Sequence, residues 1–424
     1  MSKFFGKNAV LISVQNDLGS EVSESINELE ELCKTLDIIS VDKVIQRRNK
    51  PDPVFYLGIG KLGKVKEFCK NNDVDLLVVD DELTTIQQRN IEKYVEIRTV
   101  DRTQIILEIF SRHATTAEGK LQVEMARLVY ELPRLRGKGL QLSNQGAGIG
   151  TRGPGEKILE LDRRKIKNRI AHLRDELNKL KINRENIRKS RTESGYYIVS
   201  IAGYTNAGKS TLLSSLSGEK SILISDRLFA TLNPTTRRVV LPGGRVVLFS
   251  DTVGFIKKLP HTLIEAFHST LEEILYSDII VILVDVSDPF YKDKISASYN
   301  VLEEIGVVDK EIMIVFNKID LVPDEYLETV RMEYPDATFI SAKSGIGLSN
   351  FLNRIVQHIH NQDICVRIKV DNLKKGIVMK FSQFVDMEVV DENDGYTIYD
   401  VHGPEKVVER IAKSVNFVEE GDTK

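Results

Sequence analysis

Long apolar runs are missing from this chain of 424 residues. The longest lies around Ile279–Val286 and has strand length. A membrane-crossing helix needs roughly 18–20 apolar residues, so a helical integral membrane protein is excluded. The N-terminal MSKFFGKNAVLISVQ has an apolar stretch but lacks a small-residue cleavage site, so no secretory signal is expected. Cysteine is scarce. Cys33, Cys69 and Cys365 stand far apart in sequence and offer no metal-ligand spacing. They are expected to be reduced and buried in a cytoplasmic protein, with peripheral attachment to a membrane left open and a monomeric state expected. Net charge is nearly absent as well, at −3.

What is present fits a soluble globular chain, with 42% hydrophobic and 29% charged residues. At about 150 residues per domain, the length suggests about three domains. The small net charge conceals an uneven distribution. Residues 111–194 carry 20 Lys and Arg against 10 Asp and Glu, leaving the rest of the chain at −13. A concentrated basic segment is the electrostatic footprint of a polyanion partner, or simply a solvated helix surface.

Residues 1–110 alternate short apolar runs with amphipathic stretches, the pattern of a small parallel α/β subdomain. AVLISV (9–14), residues 38–45, DLLVVD (75–80) and VEIRTV (95–100) read as strands. Residues 20–36, 61–71 and 84–94 read as helices. Asp80, Asp81 and Glu82 follow a strand, where α/β folds bind ligands. A loop leading to a helix cap is favoured over a metal site for these acids.

Residues 111–194 change character. Leu121, Met125, Leu128, Leu132 and Leu135 recur at intervals of 4, 3, 4 and 3, as do Ile166, Ile170, Leu173, Leu177 and Leu180. Such stripes suggest two long helices paired as an antiparallel hairpin. Between them runs RLRGKGLQLSNQGAGIGTRGPGEK, with seven glycines from Gly137 to Gly155 and the basic residues Arg134, Arg136, Lys138 and Arg152. Helix–helix connections usually take 2–8 residues. A longer, basic, glycine-rich tip exposes backbone N–H groups and guanidinium forks to a phosphate backbone. These four basic residues are the candidate contacts to a polyanion.

YYIVSIA (196–202) is a β-branched strand running into GYTNAGKST (203–211). Strand, then G-x-x-x-x-G-K-S, then helix is the phosphate-binding P-loop in its required context. The expected nucleotide contacts there are Gly203, Tyr204, Thr205, Asn206, Ala207, Gly208, Lys209, Ser210 and Thr211. Lys209 would reach the β- and γ-phosphates, and Ser210 would ligate Mg²⁺. FSDTVGF supplies Asp251, Thr252, Val253 and Gly254, with Asp251 holding Mg²⁺ through water and the Gly254 N–H facing the γ-phosphate. Upstream, Phe229, Ala230, Thr231, Leu232 and Asn233 should close over the metal. Thr231 is the preferred ordering hydroxyl, with Thr235 and Thr236 as alternatives. IMIVFNKID ends in Asn317, Lys318, Ile319 and Asp320, and SAK adds Ser341, Ala342 and Lys343. An aspartate can accept two hydrogen bonds from guanine N1 and N2. Adenine would leave it unpaired, so NKID points to GTP and GDP. Phe255 occupies the position after the DxxG glycine, where many GTPases place a water-orienting glutamine, so no catalytic base is assigned.

The order P-loop, FATLNPTT, DTVGF, NKID, SAK is similar to that of translation-factor-related GTPases. More narrowly, RLRGKG…LS…GIGTRGPGE, GYTNAGKST, FATLNPTTR and DTVGFIKKLP resemble the HflX family over residues from about 5 to 362. The resemblance implies a ribosome-associated GTPase that binds the large ribosomal subunit and its RNA, with splitting or rescue of ribosomes under stress. Ala147, where the family's loop more commonly has Gly, and Asn233, where Asp is usual, depart from the pattern. Asn206 resembles the potassium-coordinating Asn of cation-activated GTPases, so K⁺ joins Mg²⁺ as an expected cofactor, with simple bracing of the loop as the other reading.

The expected architecture is α/β. A P-loop GTPase domain (195–362) follows the α/β subdomain (1–110) and the basic hairpin (111–194). A small α+β domain (363–424) closes the chain, with VRIKV, FVDMEVV and YTIYDV as strands, a hairpin turn at NDG (393–395) and a helix over 404–415. A nucleotide-gated protein that docks a protein partner through the coiled coil, without RNA, is the competing reading. An ATP-driven RNA remodeller is a third, opposed by NKID. A second nucleotide site at the N-terminal strand ends is left open.

Overall fold

In the computed structural model the described residues are 4, 6–15, 21–143, 154–218, 235–252, 254–258, 272–308 and 310–415. Of these, 21–23, 136–143, 154–159 and 185–194 are described by their backbone alone. They divide into two compact units. One holds the residues up to 181 together with 254–258, and the other the remainder.

The first unit is built on four parallel strands in the order β2-β1-β3-β4. They are β1 (Asn8–Gln15), β2 (Ile39–Arg47), β3 (Leu76–Val79) and β4 (Arg98–Asp101). Ala9, Val10, Leu11, Ile12 and all of β3 are buried, as expected for central strands covered on both faces. Helices α1 (Glu21–Thr35), α2 (Ile59–Asn71) and α3 (Thr85–Val95) fall where the periodicity placed them. Thr84 starts α3 with a reciprocal capping box to Gln87, so the cap near the acidic run is a threonine. A helix the sequence reading passed over, α4 (Arg102–His113), begins at Asp101, whose carboxylate accepts from the Gln104 N–H. Its buried residues, among them Ile105, Ile106, Ile109 and Phe110, recur at helical spacing, with Gln104, Glu108 and Ser111 on the other face.

Helices α5 (Ala117–Ser143) and α6 (Pro154–Ser194) carry the two heptad-like stripes. In α6 the stripe faces inward, with Ile170 and Leu173 buried. In α5 the most buried positions are instead Gln122, Val123, Ala126 and Tyr130, while Leu121, Met125 and Leu128 are half-buried. The helix thus has a second buried face, packed on α3 and α4. A bidentate pair from Arg169 to Glu124, at 2.7 and 2.9 Å, joins α6 to α5.

The second unit holds a six-stranded sheet, β10-β9-β8-β5-β7-β6. Its strands are β5 (Ile198–Gly203), β6 (Thr235–Val240), β7 (Val246–Asp251), β8 (Ile279–Asp285), β9 (Glu311–Asn317) and β10 (Thr338–Phe339). Only β6 is antiparallel to its neighbour. Helix α7 (Lys209–Ser217) leaves the end of β5. The same unit carries an antiparallel sheet in the order β11-β13-β12, from β11 (Ile364–Asp371), β12 (Asp386–Glu392) and β13 (Tyr396–Gly403). The helix Glu405–Val415 buries Val407, Val408, Ile411 and Val415 with this sheet. Arg245, after β6, makes a bidentate pair with buried Asp363, and the Val246 N–H donates to the Gln383 carbonyl. Cys33 and Cys69 are buried as expected, but Cys365 is exposed on β11, which corrects that expectation.

Candidate functional site

The P-loop curls between β5 and α7, and its two glycines are there for space. A Cβ on Gly203 would lie 2.3 Å from the Leu283 carbonyl oxygen, and one on Gly208 would lie 2.3 Å from Asn317 Nδ2. Both also adopt positive φ, at 138° and 94°. The loop leads straight into the N-terminus of α7, whose unpaired N–H groups and dipole suit a phosphate. Lys209 is buried within it, donating to the Gly203 and Tyr204 carbonyls at 3.1 and 2.8 Å. Burial lowers its ammonium to about 8, against an opposing pull from Asp251. A cation destabilised by burial is poised to gain from a phosphate anion.

The Ser210 hydroxyl donates to Asp251 Oδ2 at 2.8 Å. Asp251 ends β7 beside the P-loop strand and is buried. A hydroxyl and a carboxylate held together at the phosphate loop form a hard-oxygen donor set, which fits a small divalent cation. Thr252 is engaged elsewhere, with its hydroxyl on the Ile201 carbonyl at 2.8 Å, so it anchors the segment to β5. Thr235 and Thr236 are ladder residues of β6 opposite Asp251 and Ser250. Phe229, Ala230, Thr231, Leu232, Asn233 and Val253 lie outside the described residues.

At the ends of β9 and β10, Asn317 joins the loops. Its Nδ2 donates to the Ala207 carbonyl at 2.8 Å, and its Oδ1 accepts from the Ala342 N–H at 2.9 Å. Its amide thus braces the P-loop against the SAK turn with one of its two Nδ2 hydrogens, leaving the other for the expected purine contact. Ser341 holds that turn by accepting from the Ser344 N–H at 3.2 Å. Lys318 adopts positive φ and pairs with Asp285 at 2.6 Å, which holds its stem beside the loop. Asp320 lies in the short turn Ile319–Leu321 with its side chain exposed. Asn206, also at positive φ, exposes its side chain, which makes no hydrogen bond among the described residues. Nothing described therefore uses it as a brace.

From Gly254 the chain belongs to the first unit. Phe255 is buried and apolar, so it cannot orient a water. Lys258 pairs with Asp80 at 2.7 Å and Asp81 at 2.6 Å, and Lys257 pairs with Glu24. Asp80 is fully buried and also accepts from Ser25 at 2.7 Å, Ser13 at 3.2 Å and Arg102 at 2.8 Å. Burial alone would raise its carboxyl, but Arg102 and Lys258 outweigh that and hold it low. The acids after β3 are thus tied to cations of the protein. No local pattern could have revealed this, because Lys258 lies 178 residues away from Asp80.

The basic hairpin residues separate. Arg134 is not at a free tip. Its guanidinium stacks 3.4 Å over the Tyr130 ring and donates to the Leu83 carbonyl at 2.7 Å and to buried Asp101 at 3.1 Å. Its guanidinium is thus engaged within the first unit. Of Arg136 and Lys138 only the backbone, in α5, is described, and Arg152 lies outside the described residues.

Three family descriptions match consecutive parts of the chain. They are a GTP-binding GTPase N-terminal region at 23–111, a GTP-binding GTPase middle region at 113–191 and a 50S ribosome-binding GTPase at 198–318. The GTPase HflX of Lacrimispora saccharolytica is 44% identical over 386 residues, covering 90% of each chain. The chain belongs to the HflX family of GTPases. The family member of Escherichia coli K12 is 36% identical over 359 residues, covering 84% of each chain. A GTP-binding protein of Sulfolobus solfataricus, solved in complex with GDP, is 26% identical and covers 83% of this chain and 98% of its own, with a TM-score of 0.42. Membership agrees with the α/β architecture and the P-loop sheet found here. Among the described residues no helix is long and apolar enough to cross a membrane.

Proposed function

We propose that this protein is a Mg²⁺-dependent GTPase whose nucleotide state controls its binding to the large ribosomal subunit. The observation that carries the reading is the joining of P-loop, NKID and SAK segments through one buried amide, Asn317, beside the Ser210–Asp251 oxygen pair. That juxtaposition offers a phosphate cradle, a cation site and a purine edge in one place. Asp320, exposed at its rim, would accept from guanine N1 and N2. Lys343 supplies the SAK N–H left for guanine O6, since the Ala342 N–H is already bonded.

Mg²⁺ would be held by Ser210 and, through water, by Asp251. It would supply charge neutralisation between the β- and γ-phosphates. The chain's own residues do the rest. Lys209 regains a full proton against the phosphates, and Gly208 and its neighbours present backbone N–H groups. Thr231 and Gly254 are the groups proposed to sense the γ-phosphate, so that its loss frees their segments. Phe255 offers no hydrogen bond, so intrinsic hydrolysis should be slow. K⁺ at Asn206 would add transition-state charge as an arginine finger does.

Ribosome binding rests on the likeness to a family described as 50S ribosome-binding and on the basic charge of residues 111–194. The test is co-sedimentation with large subunits in a non-hydrolysable GTP analogue and in GDP. Binding in the analogue and its loss in GDP is the expected result. Equal binding in both would remove the nucleotide switch.

A further inference from the structure

A second chemical centre lies away from the P-loop, where the GTPase sheet unit meets its own C-terminal strands. Three neighbouring strands place Cys365 of β11, His402 of β13 and Asp386 of β12 in one row, because Cys365 pairs with His402 and Asp386 also pairs with His402. Directly opposed residues in an antiparallel ladder project from the same face, with Cβ atoms about 5 Å apart. His360, near the end of the helix Leu348–Gln362, lays its ring parallel to that of His402, with centroids 6.1 Å apart and planes at 16°. The polar atoms are already paired. His360 Nε2 lies 2.9 Å from Asp386 Oδ2, and Cys365 Sγ lies 3.4 Å from His402 Nε2. Donor atoms of His360, Asp363 and Asp386 all fall within 4.8 Å of one another.

We infer that His360, Asp386, His402 and Cys365 bind a borderline-soft divalent cation of the zinc class. Two imidazoles, a thiolate and a carboxylate are the ligand types such an ion selects. In a tetrahedral site with bonds of about 2.0–2.3 Å, neighbouring donor atoms sit about 3.3–3.7 Å apart. The two existing pairs are near that spacing. Closing the site requires the exposed His360 ring and the half-buried Asp386 carboxylate both to turn toward His402 and Cys365. Asp363 is not a ligand in this assignment. Both of its oxygens are taken, by Arg245 and by the Tyr197 hydroxyl, and it has no exposure. Arg245 also approaches Asp386 at 3.3 Å, but its bidentate bond to Asp363 cancels its charge there. Asp386 and a Cys365 thiolate then match a dication in charge. Burial, with Asp400 adding to it, pushes the Cys365 thiol above its ordinary range, so the ion must displace its proton and binding should tighten as pH rises. Such an ion would clip the last helix of the GTPase sheet to both edge strands of the C-terminal sheet.

The test uses the full chain loaded with GDP and Mg²⁺, titrated with Zn²⁺ and with Co²⁺. One equivalent of Co²⁺ should give a thiolate-to-metal charge-transfer band in the near ultraviolet. Cys365→Ser should abolish that band, and Cys365→Ser or His402→Gln should weaken Zn²⁺ binding by at least about tenfold. Zn²⁺ should also raise the thermal midpoint of the wild type and not that of Cys365→Ser. All four side chains lie at the surface or half-buried, so GDP binding should be unchanged and reports that each variant is folded. If a variant loses GDP binding, His360→Asn, outside the sheet, should still weaken Zn²⁺ binding by about tenfold while keeping the thiolate band. A Co²⁺ complex without the thiolate band, or Zn²⁺ affinity equal in wild type and variants, would overturn the assignment.

Discussion

Asp320 and Lys209 carry the chemical claims that single residues can test. Asp320→Asn should lower GTP affinity by roughly 1.5–3 kcal/mol, because an amide cannot accept from both guanine donors. A fluorescence titration with GTP and ATP reads this directly, and unchanged GTP affinity would remove the guanine assignment. Lys209 makes a pH prediction whose sign follows from its environment. Its ammonium is lowered to about 8 by burial and should rise when phosphates arrive. GTP affinity should therefore be fully present below pH 8. Above it, affinity should fall by at most about tenfold per pH unit, because binding must take up one proton. Calorimetry at pH 8.5 in buffers of different ionisation enthalpy measures that proton. Lys209→Met should show weak binding with no such uptake. Both assignments were readable in the sequence because NKID and the P-loop are contiguous motifs. Asn317 was legible only as a nucleotide contact, since its bonds to Ala207 and Ala342 span 110 and 25 residues.

The hairpin is the element whose reading changed most. Its two stripes were visible because each lies on one helix and repeats at a fixed interval. The second buried face of α5 was not, since of Gln122, Val123, Ala126 and Tyr130 only Val123 is a large aliphatic residue, so their helical spacing carries a weak apolar signal. Arg134 looked like its neighbours in a basic run, yet it neutralises Asp101 from the sheet below. Arg134→Ala should leave that buried carboxylate short of a cation and the Tyr130 ring without its stacked guanidinium. A destabilisation of about 3–5 kcal/mol, as when one partner of a buried pair is removed, should appear as an earlier thermal transition. Replacing Arg136, Lys138 and Arg152 by Ala should instead leave the melting curve in place. It should weaken ribosome binding and flatten its dependence on salt, since phosphate contacts release counterions. Identical salt slopes for wild type and the triple variant would make this segment a connector.

At the scale of the whole molecule, the order of motifs made the GTPase sheet and the family legible before any fold was seen. Ion pairs between distant segments were not legible. Lys258 on Asp80 and Arg245 on Asp363 join residues more than 100 positions apart, and local patterns carry no trace of them. The central claim is that this GTPase lacks one catalytic part and acquires it from outside. A buried Phe255 stands where a water-orienting side chain would be, and Asp251, Ser210 and Lys209 can bind and polarise without placing the nucleophile. The direct test is steady-state GTP hydrolysis in Na⁺ and in K⁺, with and without purified large ribosomal subunits, for wild type and Asn206→Ala. Slow turnover by the isolated protein in Na⁺ is predicted, with a rise in K⁺ that Asn206→Ala removes and a larger rise on adding subunits. Fast turnover in Na⁺ without subunits, unaltered by their addition, would contradict it.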